Sequence, residues 1–248
     1  MLFLIFILGL LVGSFLNVVI FRLHSHEAFL FGRSHCNTCK RELGVWDLIP
    51  LFSYLFLRGK CRYCQAHISW QYPMVELLTA FVFVLLGAKF GVVNLEFLIG
   101  VIFACVMIVI AVYDFKHYLI LDVVIFPALA LSVFINLISG SFVDGILGSI
   151  LVSGFFLIQY LISKGSWIGF GDVKLGLLLG SLFGWKMSII LLLVSYMTGA
   201  LVGTFLLILN KKKMSSKLPF GTFLGLSAII ILIYGDQILS WYRNLIGL

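Results

Sequence analysis

The chain has 248 residues, of which 62% are hydrophobic and only 11% are charged. Soluble domains carry about a quarter charged residues, so this composition and a mean hydropathy of +1.17 exclude a soluble globular protein and predict a polytopic membrane protein. The net charge of +7 does not indicate nucleic-acid binding, because membrane proteins retain basic residues in their cytoplasmic loops and no stretch here interleaves basic with aromatic residues.

The first apolar run, residues 2–21, predicts an uncleaved membrane span. It lacks the basic residues before it and the small-residue cleavage site after it that mark a signal peptide. Its first charged residue, Arg22, follows the run. We therefore expect the N-terminus outside the membrane and Arg22 on the cytoplasmic side.

Residues 22–72 predict a small polar domain on the cytoplasmic side. Four of the five cysteines lie here as two Cys-x-x-Cys pairs, CNTC at 36–39 and CRYC at 61–64. Two such pairs are close to a tetrathiolate zinc pattern, and a segment with few core residues needs such a staple to fold. A redox pair and a disulfide, which the reducing cytoplasm disfavours, are the alternatives. The predicted ligands of one zinc ion are Cys36, Cys39, Cys61 and Cys64.

Seven further apolar runs follow, at residues 73–90, 95–113, 119–138, 142–163, 173–184, 187–209 and 218–235. Together with the first run they predict eight transmembrane helices, although the run 173–184 is short for a full crossing. Fourteen of the seventeen basic residues then fall in or beside cytoplasmic segments, in agreement with the positive-inside rule. The predicted domains are the first helix (1–21), the cytoplasmic zinc-binding domain (22–72) and a transmembrane domain (73–248).

Two aspartates fall at the cytoplasmic face in this topology. Asp114 ends the third span, and Asp172 follows Gly169 and Gly171 in the stretch GFGDVK. An ionisable residue at such a depth is a candidate for function. Two facing carboxylates share one proton, so that one takes a proton from water while the other polarises a carbonyl. This is the chemistry of metal-free peptide hydrolysis, and the glycines allow another backbone to approach closely.

The aspartates also have plainer interpretations. Asp114 could pair with Lys116 or His117 in the same turn, and Asp172 could cap the following helix, a position that Asp favours. Asp122 competes with Asp114 for the catalytic role, and we place it two turns inside the next span.

The chain resembles the type IV prepilin peptidases, which are GxGD-type aspartic proteases of the bacterial cytoplasmic membrane. The resemblance is carried by GSFLNVVIFRL (13–23), RSHCNTCKREL, the stretch from IPLFSY to MVELLTA, GFGDVKLGLLLGSLFG and LPFGTFLGLSAI (218–229). It implies that Asp114 and Asp172 are the catalytic aspartates. The supporting positions are Gly169, Gly171, Lys174 and Asp122. The first motif of the family usually ends in Leu-Pro-Asp, whereas this chain reads ILD at 120–122 and so lacks the proline.

The resemblance also implies two reactions. The first is cleavage of the basic leader of a type IV prepilin or pseudopilin after a glycine, and the second is methylation of the new N-terminal amine with S-adenosylmethionine. The methyl-donor site is not located by the sequence. Glu76 is a candidate for binding the cationic amine, and the alternative is that it is a snorkelling interfacial acid.

Other functions stay open at this point. A proton-coupled transporter would also carry intramembrane acids, but it usually places them near the bilayer midplane and often has duplicated halves. A peptidase without methyltransferase activity and a membrane scaffold with a zinc module are the remaining alternatives. The sequence predicts neither the pilin system nor the oligomeric state.

Overall fold

A computed structural model of the protein describes residues 1–25, 27, 32–209 and 218–246. His26 and the predicted cytoplasmic lysines Lys211, Lys212, Lys213 and Lys217 lie outside the described residues. The helices are α1 (Leu2–Ser25), α2 (Phe52–Phe56), α3 (Gln71–Phe90), α4 (Leu95–His117), α5 (Asp122–Ser139), α6 (Phe142–Ser163), α7 (Phe170–Ile208) and α8 (Phe220–Ile246), with a 3₁₀ turn at Val45–Asp47.

The described part of the chain is helical, with two isolated β-bridges as its only extended pairing. Every helix except α2 is long and apolar enough to cross a membrane, which makes seven such helices among the described residues. The prediction of an all-α polytopic membrane protein is thereby confirmed. The cysteine pairs lie between the first and second of these helices, as expected.

The number of crossings depends on α7, which has 39 residues. A straight helix of that length would be about 58 Å long, roughly twice the hydrocarbon thickness of a bilayer. Gly184, with φ 65° and ψ 175°, interrupts the helix. The segment 170–183 and the segment 185–208 therefore correspond to the predicted runs 173–184 and 187–209.

Ring contacts with α6 show that the chain reverses at Gly184. The Tyr160 ring lies 5.5 Å from that of Phe170, and the Phe155 ring lies 5.8 Å from that of Tyr196. In a straight helix Phe170 and Tyr196 would be about 40 Å apart, yet their partners on α6 are little more than one turn apart. The two segments of α7 consequently run antiparallel, and the described chain has eight apolar helical segments.

Small residues make this reversal possible. A Cβ at Gly184 would overlap the Asp144 carboxylate, and a Cβ at Gly180 would overlap the backbone of Gly148 on α6. Next to the break, Asn136 Nδ2 donates to the carbonyl of Ser181 at 2.8 Å. Close approach through small residues is the usual way in which membrane helices associate.

The chain forms two compact units, Met1–Cys105 and Val106–Leu248. In the first, α1 packs on α3 through Gly9 and Gly13, whose missing Cβ atoms would collide with the backbone of α3. Asn17 Nδ2, buried on α1, donates to the Tyr72 carbonyl at 3.0 Å. The second unit holds the end of α4 together with α5 to α8. The predicted domain boundaries at residues 22 and 73 stay predictions.

Two helix limits differ from the expectation. α5 begins at Asp122, so this residue is the first of the helix and does not lie two turns inside a span, as predicted. The apolar residues 119–121 belong to the preceding loop because Tyr118 has φ +56°, which ends α4. At the other end of the chain, α8 continues to Ile246, beyond the predicted end at residue 235.

Candidate active site and cysteine cluster

Asp114 lies one turn before the end of α4 and is buried, with 5% of its surface exposed. Its Oδ2 accepts the backbone N–H of Thr222 at 2.8 Å and the Thr222 hydroxyl at 3.2 Å. Thr222 belongs to the first turn of α8, where the helix dipole favours a negative charge. The hydroxyl also lies 3.1 Å from the Ala111 carbonyl. One residue of α8 thus fixes this carboxyl group on α4.

Asp172 is the third residue of α7 and is also buried. Its Oδ2 accepts the N–H of the N-cap residue Gly169 at 3.2 Å, so Asp172 reaches back from inside the helix and is not the N-cap residue that the plainer interpretation predicted, because α7 begins at Phe170. Its Oδ1 is buried and has no hydrogen-bond partner among the described residues. Such an atom is costly in a fold. Oδ2 of Asp172 therefore stabilises the first turn of α7, and Oδ1 is available for a further contact.

The fold brings the two aspartates into one region. Gly221 lies beside Asp114, Gly171 directly precedes Asp172, and both glycines lie against Ile120. A Cβ at Gly221 would lie 3.0 Å from Asp114 Oδ2 and 2.8 Å from Ile120 Cδ1. A Cβ at Gly171 would lie 3.1 Å from Ile120 Cβ. The end of α4, the loop before α5 and the starts of α7 and α8 therefore meet around Ile120.

Asp122 and Lys174 form an ion pair beside this region. Lys174 Nζ lies 2.8 and 2.7 Å from the two oxygens of Asp122, and the Asp122 side chain is about half exposed. The Lys174 ammonium also lies near the rings of Phe126 and Phe170. The pair ties the start of α7 to the start of α5. Both oxygens of Asp122 are occupied by a cation, in contrast to Asp172 Oδ1, which has no partner in the part of the chain that the structure describes.

Glu76 lies in the first unit, in the second turn of α3. It is buried, and its Oε2 accepts the backbone N–H of Leu51 at 2.8 Å. Leu51 has φ +60°, a conformation that costs an L-residue free energy. Glu76 is therefore packed inside the first unit. Its carboxylate holds the strained residue that precedes α2.

The cysteine pairs form two turns with the same backbone pattern. In the first, the Cys36 N–H donates to the Arg41 carbonyl at 2.9 Å and Lys40 has φ +58°. In the second, the Cys61 N–H donates to the Ala66 carbonyl at 2.9 Å and Gln65 has the same φ. The bridges His35–Glu42 and Lys60–His67 close the two turns.

The four sulfur atoms fit a tetrahedral metal ion. They all lie within 4.8 Å of one another, and Cys36 Sγ is 3.8 Å from Cys64 Sγ. A tetrahedron with metal–sulfur bonds of about 2.3 Å has sulfur–sulfur edges of about 3.8 Å. All four are free thiols, which argues against the disulfide alternative. The cluster could therefore bind one metal ion.

The pKa values of the thiol groups also favour the binding of a cation. Burial opposes ionisation of Cys36, but hydrogen bonds from the backbone at Cys39 and Thr38 outweigh it and lower the pKa of this thiol to about 6. The backbone at Ala66 lowers the pKa of Cys64, but loss of water and the neighbouring sulfurs raise it to about 11. One thiolate therefore forms readily and discourages the next, and a bound cation would relieve that repulsion.

Sequence comparisons match most of the chain. Residues 7–90 match the bacterial peptidase A24 N-terminal domain, and residues 101–204 match the type IV leader peptidase family. A protein of Bacillus subtilis named "Prepilin leader peptidase/N-methyltransferase" is 34% identical over 98% of this chain and 98% of its own length. Proteins with the same name from Pseudomonas aeruginosa and Aeromonas hydrophila are each 33% identical, over 97% and 96% of this chain and 93% and 92% of their own length. No solved structure matches the chain.

Proposed function

Because the chain belongs to the type IV leader peptidase family, we propose that it cleaves the leader of a type IV prepilin or pseudopilin and N-methylates the new N-terminus. Relatives matched over nearly their whole length are named for both activities. The observation that carries the proposal is the pair of buried aspartates, one of which keeps an oxygen with no partner among the residues described. We place the reaction at the cytoplasmic face of the bacterial inner membrane, with the N-terminus outside.

In this proposal the two aspartates have different tasks. Asp172 Oδ1 accepts a proton from the attacking water, since this oxygen has no other partner among the described residues. Asp114 holds the shared proton on the oxygen that Thr222 does not bind, and it polarises the scissile carbonyl. The water oxygen bonds to the carbonyl carbon, the C–N bond breaks, and the leaving amine takes the proton that Asp172 accepted from the water. Burial strengthens these interactions because water does not screen them.

The proposed substrate passes the aspartates as an extended strand, because a helical peptide bond is hidden from attack. Ile120 lies against Gly171 and Gly221, where an added Cβ would come within 3.1 and 2.8 Å of its side chain. The substrate residue before the cut must be small, because Ile120 and the two glycines leave no space beside them for a larger side chain. We therefore assign the preference for glycine to Ile120 and the two glycines, which act by excluding larger side chains.

We assign the cysteine cluster to one structural zinc ion, which cytoplasmic thiolate tetrads most often bind. It would hold the turns that the 22–72 segment contributes to methylation, with S-adenosylmethionine as the methyl donor. Glu76 has its carboxylate occupied by Leu51. We therefore propose that it positions α2 and does not bind the cationic amine directly.

The decisive experiment uses purified protein and prepilin variants in detergent. We expect cleavage after the glycine, no cleavage when that glycine is replaced by a bulky residue, and only modest weakening when one leader lysine is removed. The last expectation follows from the basic net charge of the enzyme, which cannot recruit a basic leader by bulk electrostatics. Failure to cut the natural prepilin would refute the proposed activity. Cleavage of the bulky variant would refute the role given to Ile120.

A further inference from the structure

An apolar surface lies exposed on the segment between α1 and α3. Trp46 is 74% exposed and Phe56 is 83% exposed, although both lie outside the membrane-capable helices. We call the surface the aromatic face, and its members are Val45, Trp46, Phe52, Leu55 and Phe56. It comes from the 3₁₀ turn and from α2, which border an open groove of about 510 Å³. A soluble protein rarely exposes so many large apolar side chains together.

Two contacts set the height of α2 along α3. The N–H of Leu51, just before α2, binds the Glu76 carboxylate on the second turn of α3, about 8 Å along that helix from its first residue. The Tyr54 ring, in the middle of α2, lies 5.4 Å from the ring of Trp70, just before α3. Because α3 is a membrane-capable helix, α2 lies beside the end of a membrane span.

The side chains of α2 point in two directions. Tyr54 faces the protein, since its hydroxyl donates to the Ile68 carbonyl at 3.3 Å. Phe52, Leu55 and Phe56 face outward and are exposed. Burying such apolar area stabilises by roughly 25 cal/mol per Å², so an apolar neighbour is favoured. Trp70, just before α3, is also exposed and contacts Tyr54, so a further aromatic side chain lies at the end of the span.

Basic residues follow the aromatic face directly. Arg58 and Arg62 are exposed and Lys60 is partly exposed, while Arg62 also pairs with Asp47 at 2.7 Å. Aromatic side chains favour the membrane–water interface, and nearby basic residues are attracted to anionic headgroups. This combination of apolar and cationic groups at the level of a helix end fits a lipid surface.

We propose that the aromatic face is embedded in the headgroup region of the bilayer that α3 enters. Interfacial elements of this kind bury their apolar side about 5–10 Å into the boundary between headgroups and acyl chains. The covering partner is lipid, and neither a second copy of the chain nor another protein is needed. The consequence is that α2 anchors the segment carrying the cysteine turns at a fixed height beside the membrane.

The test is fluorescence of full-length protein in vesicles of phosphatidylcholine and phosphatidylglycerol. In one variant Trp46 is kept and Trp70, Trp167, Trp185 and Trp241 are replaced by Phe. A second variant carries the same four replacements together with Trp46→Phe and Phe56→Trp, so that its one tryptophan is at position 56. The matched control carries Trp46→Phe and Tyr63→Trp, because Tyr63 is exposed on a cysteine turn beneath Arg41. Quenching is measured with lipid brominated on its acyl chains and with aqueous acrylamide.

We expect brominated lipid to quench Trp46 and Phe56→Trp several-fold more than Tyr63→Trp, with acrylamide giving the reverse order. Equal quenching by brominated lipid at all three positions would overturn the proposal. Should the tryptophan replacements disturb the fold, a photoreactive benzoylphenylalanine at position 56 of the otherwise unchanged protein gives a second test. Crosslinks to lipid support the proposal, whereas crosslinks to a second chain, or none to lipid, overturn it. Neither readout depends on the proposed enzymatic activity.

Discussion

The four cysteines lie on two short turns whose backbone bonds run within each turn, whereas the aspartate region is assembled from helices that lie far apart in the chain. The Cys36 turn closes through Arg41, five residues later. Asp114, in contrast, is held by Thr222, which is 108 positions away in the chain. The comparison teaches that the cysteine cluster should tolerate changes elsewhere, while the aspartate region should respond to single methyl groups on neighbouring helices.

The largest expected effect concerns the aspartates themselves. Asp114→Asn and Asp172→Asn keep the shape of the side chains but remove their proton chemistry, so cleavage should fall by about 10²–10⁴-fold. Asp122→Asn is the matched control, because that carboxylate is paired with Lys174. The measurement is the initial rate of prepilin cleavage together with the metal content, which should not change. Near-normal cleavage by Asp114→Asn with loss in Asp122→Asn would reverse the assignment.

The next effect concerns the cysteines. Cys36→Ser and Cys61→Ser remove one ligand from each turn, so zinc should fall from one ion per chain to well below it. Because structural zinc contributes directly to folding free energy, the 22–72 segment should become sensitive to protease, and methylation should fall more than cleavage. Cys105→Ser is the control, since that thiol lies on α4, away from the cluster. Metal analysis decides the point, and zinc-free protein that methylates normally would contradict it.

A smaller effect is expected from the glycines of the aspartate region. Gly171→Ala introduces a Cβ that lies 3.1 Å from Ile120, and a shift of about 1 Å near reacting groups costs up to about 10²-fold in rate. Ile120→Ala in the same chain should restore part of the lost cleavage. Gly154→Ala on α6 is the control, since nothing lies within 4 Å of its added methyl. If Ile120→Ala restores no cleavage in a chain that still folds, the loss in Gly171→Ala is not caused by contact with Ile120.

The smallest effect concerns the ion pair between Lys174 and Asp122. Exposed pairs contribute about 0–1 kcal/mol to stability, and the Asp122 side chain is 52% exposed. Lys174→Met and Asp122→Asn should each reduce cleavage only a few-fold, and the double variant should be no worse than either single one. Thermal melting and cleavage rates of the three variants provide the measurement. Strictly additive losses would show that the two residues act independently.

The sequence predicted the helices and the cysteine cluster well, because both leave local signals. Hydrophobic runs long enough to span a bilayer predicted the membrane helices. The gap between the apolar runs that end at residue 184 and begin at residue 187 coincides with the break at Gly184. The spacing of the cysteines predicted the four-cysteine cluster, because the geometry of each turn depends on the few residues within it. The start of α5 was misplaced because Leu119, Ile120 and Leu121 are as apolar as the helix that follows them.

The surroundings of the aspartates could not be predicted in the same way. Thr222 and Gly221 lie in the stretch LPFGT, but a threonine and a glycine carry no chemical signal until α8 is placed against α4. Ile120 looks like an ordinary membrane residue, and its contact with Gly171 exists only in three dimensions. Glu76 was noticed as an acid, but its bond to Leu51 depends on the strained backbone before α2.

The central claim is that the aspartate pair performs cleavage and the cysteine segment supports methylation. Mass spectrometry of the N-terminus of a co-expressed prepilin tests both halves in one spectrum, with the unchanged enzyme, Asp172→Asn and Cys61→Ser compared at equal expression. The account predicts a cleaved and methylated pilin, an uncleaved precursor, and a cleaved pilin with a free amine, respectively. Cleaved pilin from Asp172→Asn, or a fully methylated product from Cys61→Ser without bound zinc, would contradict it.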